Sequence, residues 1–199
     1  MDYGIKGKTA LVCAASKGLG RACAEALAAE GASLLLCARG GEALNATATA
    51  LSERFGGRVH PIVADLATNE GRSRLIDAVW AACPDGPDML VLNGGGPAPS
   101  TAGQTDYAAW QAGFEQLFLS AVQLNQAFLP PMRQRGWGRI VAITSITVLE
   151  PAPKLAVSNA MRSALTSYLK ALANEVAPDG VTVNCVAPAL VHTDRIDSL

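Results

Sequence analysis

The sequence predicts an α/β fold, a doubly wound parallel sheet with helices on both faces. Three observations predict it. Short apolar runs of strand length alternate with segments whose apolar residues recur at helical spacing. The first run, residues 9–14, turns through Ser16-Lys17-Gly18-Leu19-Gly20 into an Ala-rich helix and then a second apolar run, which makes a βαβ unit. The fourth run enters Asn93-Gly94-Gly95-Gly96-Pro97 and the sixth ends at Pro188; such loops frame a ligand crevice beyond the strand C-termini.

The elements follow in order. A strand over 9–14 leads to a helix over 21–30, where alanines and Leu27 favour the helix and Gly31 supplies a left-handed cap. The second strand spans 33–37, a helix 42–55 and the third strand 59–63. Residues 69–82 form a helix with Leu75, Ile76 and Val79 on one side, and 89–92 the fourth strand. Residues 106–135 read as one long helix, bent at Pro130-Pro131 because proline lacks the backbone donor. A turn at Gly136-Trp137-Gly138 precedes a fifth strand over 139–144. A helix over 158–177 carries Leu165, Tyr168, Leu169 and Leu172 at helical spacing, and residues 181–187 form the sixth strand. The crevice then lies above the turn at Gly18 and Gly20, the loop 93–96 and Ser145.

Composition bounds the function. The 199 residues are half hydrophobic with a net charge of −1, enough for one domain over 1–199 with a sizeable core. Nothing in that balance points to a nucleic-acid partner. No apolar stretch approaches the roughly 20 residues of a membrane span, and no secretory signal is visible, so a cytoplasmic location is expected. The five cysteines form no C-x-x-C pair, and three lie in predicted strands, so buried reduced thiols are expected and no metal site.

The turn at 16–20 carries the chemistry. A helix that starts there points unpaired N–H groups and a positive dipole end at whatever sits above it, which suits a pyrophosphate. Against G-x-G-x-x-G the run lacks the third glycine.

From end to end the chain resembles the short-chain dehydrogenase/reductase family, nearest the 3-oxoacyl-acyl-carrier-protein reductase branch. The match rests on SKGLG at 16–20, ADL at 64–66, NGGG at 93–96, GRIVAITS at 138–145, GVTVNCVAP at 180–188 and Thr193-Asp194. Two positions depart from the family's T-G-x-x-x-G-x-G turn, Cys13 and Ala14. The resemblance implies a Rossmann-type fold and a nicotinamide dinucleotide whose pyrophosphate lies over Ser16, Lys17, Gly18, Leu19 and Gly20. It implies Asp65 and Leu66 at the adenine, Asn93 and Gly95 along the ribose, and Pro188, Val191 and Thr193 around the nicotinamide. Family members continue further, with a substrate lid and a seventh strand, so either this sequence is a fragment or its pocket is open and a partner is expected to cover the sheet edge. Family members pair through the long helix and the helix over 158–177, so a homodimer or homotetramer is expected.

An NAD site usually places an acid about 20 positions after the glycine turn, on the ribose 2′-hydroxyl. Here Cys37-Ala38-Arg39 stands there, and Arg39, helped by Lys17, suits a 2′-phosphate. NADP is expected over NAD; two solvated surface cations are the competing reading. A methyltransferase would favour an acid where Arg39 stands.

The family's chemistry uses a tyrosine as general acid/base, a lysine four residues on, a serine that polarises the carbonyl and an asparagine on the long helix. Ser145 matches the serine; counting without gaps from Ser145 to the GVTVN run puts the tyrosine on Ser158 and the lysine on Arg162, and counting from Trp110 puts the asparagine on Leu117. Ser158 and Arg162 stand i, i+4, so they share a helix face. Arg162 keeps its charge and donors for ribose hydroxyls, but with a pKa above about 12 it is no proton donor. Ser158 needs a water to span the length of the missing phenol. His192 is an alternative proton carrier, set against an ordinary loop histidine. The expectation is an NADP-dependent oxidoreductase of a small carbonyl or alcohol with atypical catalytic residues Ser145, Ser158 and Arg162. The alternative is a dinucleotide-binding sensor or oligomeric partner without turnover.

Overall fold

The computed structural model describes residues 2–193; Asp194 of the Thr193-Asp194 pair lies outside them. Six parallel strands, β1 (Thr9–Cys13), β2 (Ser33–Ala38), β3 (Val59–Val63), β4 (Met89–Leu92), β5 (Gly138–Ile143) and β6 (Val181–Val186), form one sheet in the order β3-β2-β1-β4-β5-β6. The register is continuous, with Cys13 opposite Cys37 and Val12 opposite Val91. The strand order reverses between β1 and β4, so a crevice opens there beyond their C-terminal ends.

Both sheet faces are covered by helices whose apolar stripes dictate the sides. Helices α1 (Gly18–Ala29) and α2 (Gly41–Phe55) bury Ala24, Ala28, Leu44 and Leu51 against Ala10, Val12, Leu34 and Leu36. Helices α3 (Asn69–Ala82), α5 (Ser120–Gln134) and α6 (Ala156–Val176) bury Leu75, Leu124, Phe128, Leu165 and Leu169 against Leu11, Cys13, Leu90 and Ile140 on the other face. Full burial of one such leucine or phenylalanine contributes about 1.5–3 kcal/mol, which makes these stripes the main determinant of which face each helix takes. Among the described residues no helix is long and apolar enough to cross a membrane.

Three local departures from the expected pattern have physical causes. Strand β1 stops at Cys13, because Ala14 takes a left-handed φ of 51°, in the position where the related glycine turn has a glycine. That conformation costs an L-residue about 1–2 kcal/mol. The long helix is not one regular rod: α4 (Tyr107–Gly113) widens into a π-helical segment, Phe114–Leu119, before α5 runs on through Pro130 and Pro131 to Gln134. Such wide turns inside helices are frequent at functional sites. Cys185, expected to be buried, is exposed, because β6 is the outer strand of the sheet among the described residues and Asn184, Cys185 and Val186 at its end are all exposed.

Cys13 and Cys37 are buried side by side at the ends of β1 and β2. Burial pushes the Cys13 thiol up to about 12, and raises Cys37 further, with Cys13 and Asp65 adding to the rise. The folded chain therefore keeps both thiols protonated where the unfolded chain ionises them. Stability is full below about pH 8.5 and falls as pH rises above it, by up to ~1.4 kcal/mol per pH unit for each thiol. Urea denaturation across this alkaline range checks the effect, and the paired variant Cys13→Ala, Cys37→Ala is expected to show a shallower decline than the parent chain.

Candidate active site

The first turn of α1 begins directly over the end of β1. Its N-cap, Lys17, makes no side-chain cap bond, and the turn holds no acid. By contrast Thr68 caps α3 by accepting from the Gly71 N–H at 3.0 Å, Asp106 caps α4 by accepting from Ala109, and α2 carries Glu42 in its first turn. The α1 N–H groups and dipole thus meet no anion supplied by their own turn. Two glycines set this geometry. Gly18 has φ +55°, and a Cβ on Gly20 would run into the Ala14 carbonyl oxygen and stand 2.9 Å from the Asn93 side-chain amide. Only a residue without a side chain lets the helix start come this close to β1 and to the loop after β4.

The other expected cofactor residues gather around that turn. A Cβ on Gly18 would lie 3.6 Å from the Thr193 methyl, so the loop after β6 reaches across to the glycine turn. The Ser16 carbonyl accepts from Thr47 of α2 at 3.2 Å, and Leu19 packs at the core margin beneath the turn. Arg39 is exposed immediately after β2, with no carboxylate beside it in sequence. Asp65 and Leu66 form the loop after β3, where Asp65 Oδ1 accepts from the Ala67 N–H. Asn93 and Gly95 follow β4, and the Gly95 carbonyl accepts from Gln116 Nε2 at 2.9 Å. The Pro188 carbonyl accepts from the Ile146 N–H at 2.9 Å, tying the loop after β6 to the loop after β5; Val191 is exposed on the former.

The three expected catalytic residues sit at the β5–α6 junction. Ser145 directly follows Thr144, and its Oγ accepts from the Thr147 N–H at 3.2 Å, capping the short turn Ile146–Val148 against which α6 packs. Ser158 is buried, and its Oγ accepts from Arg162 Nε at 3.2 Å. The Arg162 guanidinium also donates to the Ile143 and Thr144 carbonyls at 2.9 and 3.0 Å. The pair therefore shares a face as the i, i+4 spacing requires, with the cation anchored at the C-terminal end of β5. Leu117, expected at the family's asparagine position, is buried in the π-helical segment and lines one narrow cleft together with Asn93, Gly94, Gln116 and Arg162.

The structure adds residues that sequence reasoning missed. Gln116 ties the π-helical segment to Gly95, and Arg72 is a buried guanidinium beneath the same region. Arg72 left a signal, since it shares the helical stripe of Leu75, Ile76 and Val79, where a charge is out of place. Gln116 left none.

A parallel sheet in this order, with an anion-seeking helix start at its switch point, defines the dinucleotide-binding class of doubly wound folds. The family model described as short chain dehydrogenase matches residues 8–199. The 3-oxoacyl-[acyl-carrier-protein] reductase of Aquifex aeolicus is 28% identical over 98% of this chain and 78% of its own length. An L-sorbose reductase from Gluconobacter frateurii, solved with NADPH and L-sorbose, superposes with a TM-score of 0.93 at 38% identity, over 97% of this chain and 73% of that one. A 3-oxoacyl (acyl-carrier-protein) reductase from Agrobacterium tumefaciens with NADP bound gives 0.92 at 31% identity, over 98% and 75%. The chain belongs to the short-chain dehydrogenase family. It is an oxidoreductase of the nicotinamide-dependent kind.

The close approach of Gly20 to the Ala14 oxygen makes the site sensitive to a single methyl group. Gly20→Ala is expected to lower stability by about 1–3 kcal/mol, as overpacking does, and to displace the helix start from β1. Urea denaturation checks the first effect and cofactor titration the second.

Proposed function

We propose that this chain is an NADP-dependent reductase or dehydrogenase of a small carbonyl or alcohol, with residues 1–199 acting as one dinucleotide-binding domain. The observation that carries the reading is the helix start at Gly18–Gly20, whose first turn holds no acidic residue and no side-chain cap, with the Arg39 cation standing at the end of the adjacent strand β2. The bound NADPH and NADP in the sorbose and acyl-carrier reductases support it.

In this reading Ser16, Lys17, Gly18, Leu19 and Gly20 hold the diphosphate, and Arg39 with Lys17 holds the 2′-phosphate. Asp65 and Leu66 flank the adenine, Asn93 and Gly95 the ribose, and Pro188, Val191 and Thr193 the nicotinamide. The cofactor, when bound, supplies or accepts the hydride. The rest falls to the chain. Ser145 donates a hydrogen bond to the substrate oxygen and so stabilises the charge that develops on it. The Ser158 hydroxyl, accepting from Arg162 Nε, keeps its own proton to pass through a water to that oxygen, and takes a replacement proton from solvent water. Arg162 holds Ser158 in place and presents positive charge to the ribose hydroxyls, without itself giving up a proton. A water-bridged serine in place of a positioned phenol forgoes part of the 10²–10⁴-fold that direct general acid catalysis contributes, so slow turnover is expected. A homodimer or homotetramer through the α5 and α6 faces, in the cytoplasm, completes the proposal by analogy with the family.

Fluorescence titration with NADPH and NADH, followed by turnover on a panel of ketones, tests this reading. NADPH is expected to bind about tenfold more tightly than NADH, and Arg39→Ala to remove most of that preference while leaving NADH unchanged. Ser145→Ala is expected to lower kcat about 10²-fold with NADPH affinity intact. Tighter binding of NADH would overturn the role of Arg39, and unchanged turnover in Ser145→Ala would overturn the role of Ser145.

A further inference from the structure

We infer that Arg72 is a positioning residue that locks the two halves of the dinucleotide site to one another; the inference rests on the cofactor reading above. Arg72 stands in the first turn of α3 and is 2% exposed. Its Nη1 donates to the Leu66 carbonyl at 3.0 Å, on the loop assigned to the adenine. The same nitrogen donates to the Glu115 carbonyl at 3.4 Å, and Nη2 pairs with Glu115 Oε2 at 2.7 Å. Its Nε donates to Gln123 Oε1 on α5. Glu115 lies within the π-helical segment, whose wide turn draws backbone carbonyls away from regular helical partners, so the guanidinium satisfies the segment where it is least able to satisfy itself.

The contacts continue to the other half of the site. Next to Glu115, Gln116 bonds the Gly95 carbonyl, and a Cβ on Gly94 would lie 3.5 Å from Leu117 Cδ2. The π-helical segment thus presses on the loop assigned to the ribose. On the near side, a Cβ on Gly71 would run into the Asp65 carbonyl oxygen, so the start of α3 is seated directly on the adenine loop. One buried cation therefore bonds both the loop after β3 and the segment that abuts the loop after β4. An aliphatic side chain would fill this place between α3 and α5 without the desolvation cost of a charge. Holding three separate carbonyl- or carboxylate-bearing segments in one geometry is what the planar fork alone does.

The consequence is specific to a ligand that touches both loops. NADPH spans them, whereas adenosine 2′,5′-bisphosphate touches the adenine side alone. In Arg72→Met, NADPH affinity is expected to fall about tenfold while adenosine 2′,5′-bisphosphate weakens less than ~3-fold, and Arg72→Lys is expected to recover part of the loss by keeping the charge beside Glu115. Circular dichroism at the titration temperature verifies that the variants are folded. If Arg72→Met does not fold, Glu115→Gln carries the same test, because it breaks the ion pair at its partly exposed end and leaves the buried guanidinium its backbone partners. Unchanged NADPH affinity in folded variants, or equal weakening of both ligands, overturns the inference. Failure of the parent chain to bind NADPH at all would instead defeat the cofactor reading, and this inference with it.

Discussion

The approach of the α1 N-terminus to the end of β1 is the constraint on which the rest of the site depends. Gly20 leaves no room for a side chain, since a Cβ there would run into the Ala14 carbonyl and the Asn93 amide, and only this closeness brings the first-turn N–H groups to the point where the strand order reverses. Parallel pairing returns each crossover to the same end of the sheet, so all the strand C-termini lie along one edge, and the crevice opens there between β1 and β4. The strain at Ala14, a left-handed residue with a Cβ, lies in the turn that joins the strand to this helix start. The core gives the turn its rigidity: Val12 and Ala24 are fully buried on the α1 face, and Leu11 and Cys13 on the other.

A second constraint acts at the far side of the crevice. Arg162 is tied to two carbonyls at the end of β5 and to the buried Ser158, so this cation belongs as much to the sheet as to the helix. Anchoring of this kind removes rotamer freedom that a long side chain would otherwise lose on binding a ligand. It also directs most of the donor capacity of the fork toward the protein. The chemistry proposed for Ser145 and Ser158 is therefore that of a fixed polar surface with a water relay, rather than that of a titrating phenol held by a mobile lysine.

Much of this was legible in the sequence. The sheet class and the helix faces follow from apolar spacing, because burial of leucine and valine stripes fixes which side of each element faces inward. The glycine turn and the i, i+4 relation of Ser158 to Arg162 follow from local geometry. What stayed hidden depends on distant partners. The π-helical segment at Phe114–Leu119 has no compositional mark, since the choice of hydrogen-bond partner within a helix is decided by what packs on it. The exposure of Cys185 depends on β6 having no strand beyond it among the described residues, a matter of topology that an apolar run does not encode. Arg72 was visible as a charge on an apolar stripe, but its partners, Leu66 and Glu115, lie on other elements. Likewise, the i, i+4 spacing could place Arg162 beside Ser158 without revealing its bonds to β5.

The most direct measurement is a crystal structure of the chain with NADPH. The account predicts the diphosphate within hydrogen-bond distance of the first-turn N–H groups of α1, about 2.7–3.2 Å, with the 2′-phosphate beside Arg39. A diphosphate bound elsewhere, or a glycine turn filled by a ligand that is not a nucleotide, would contradict it.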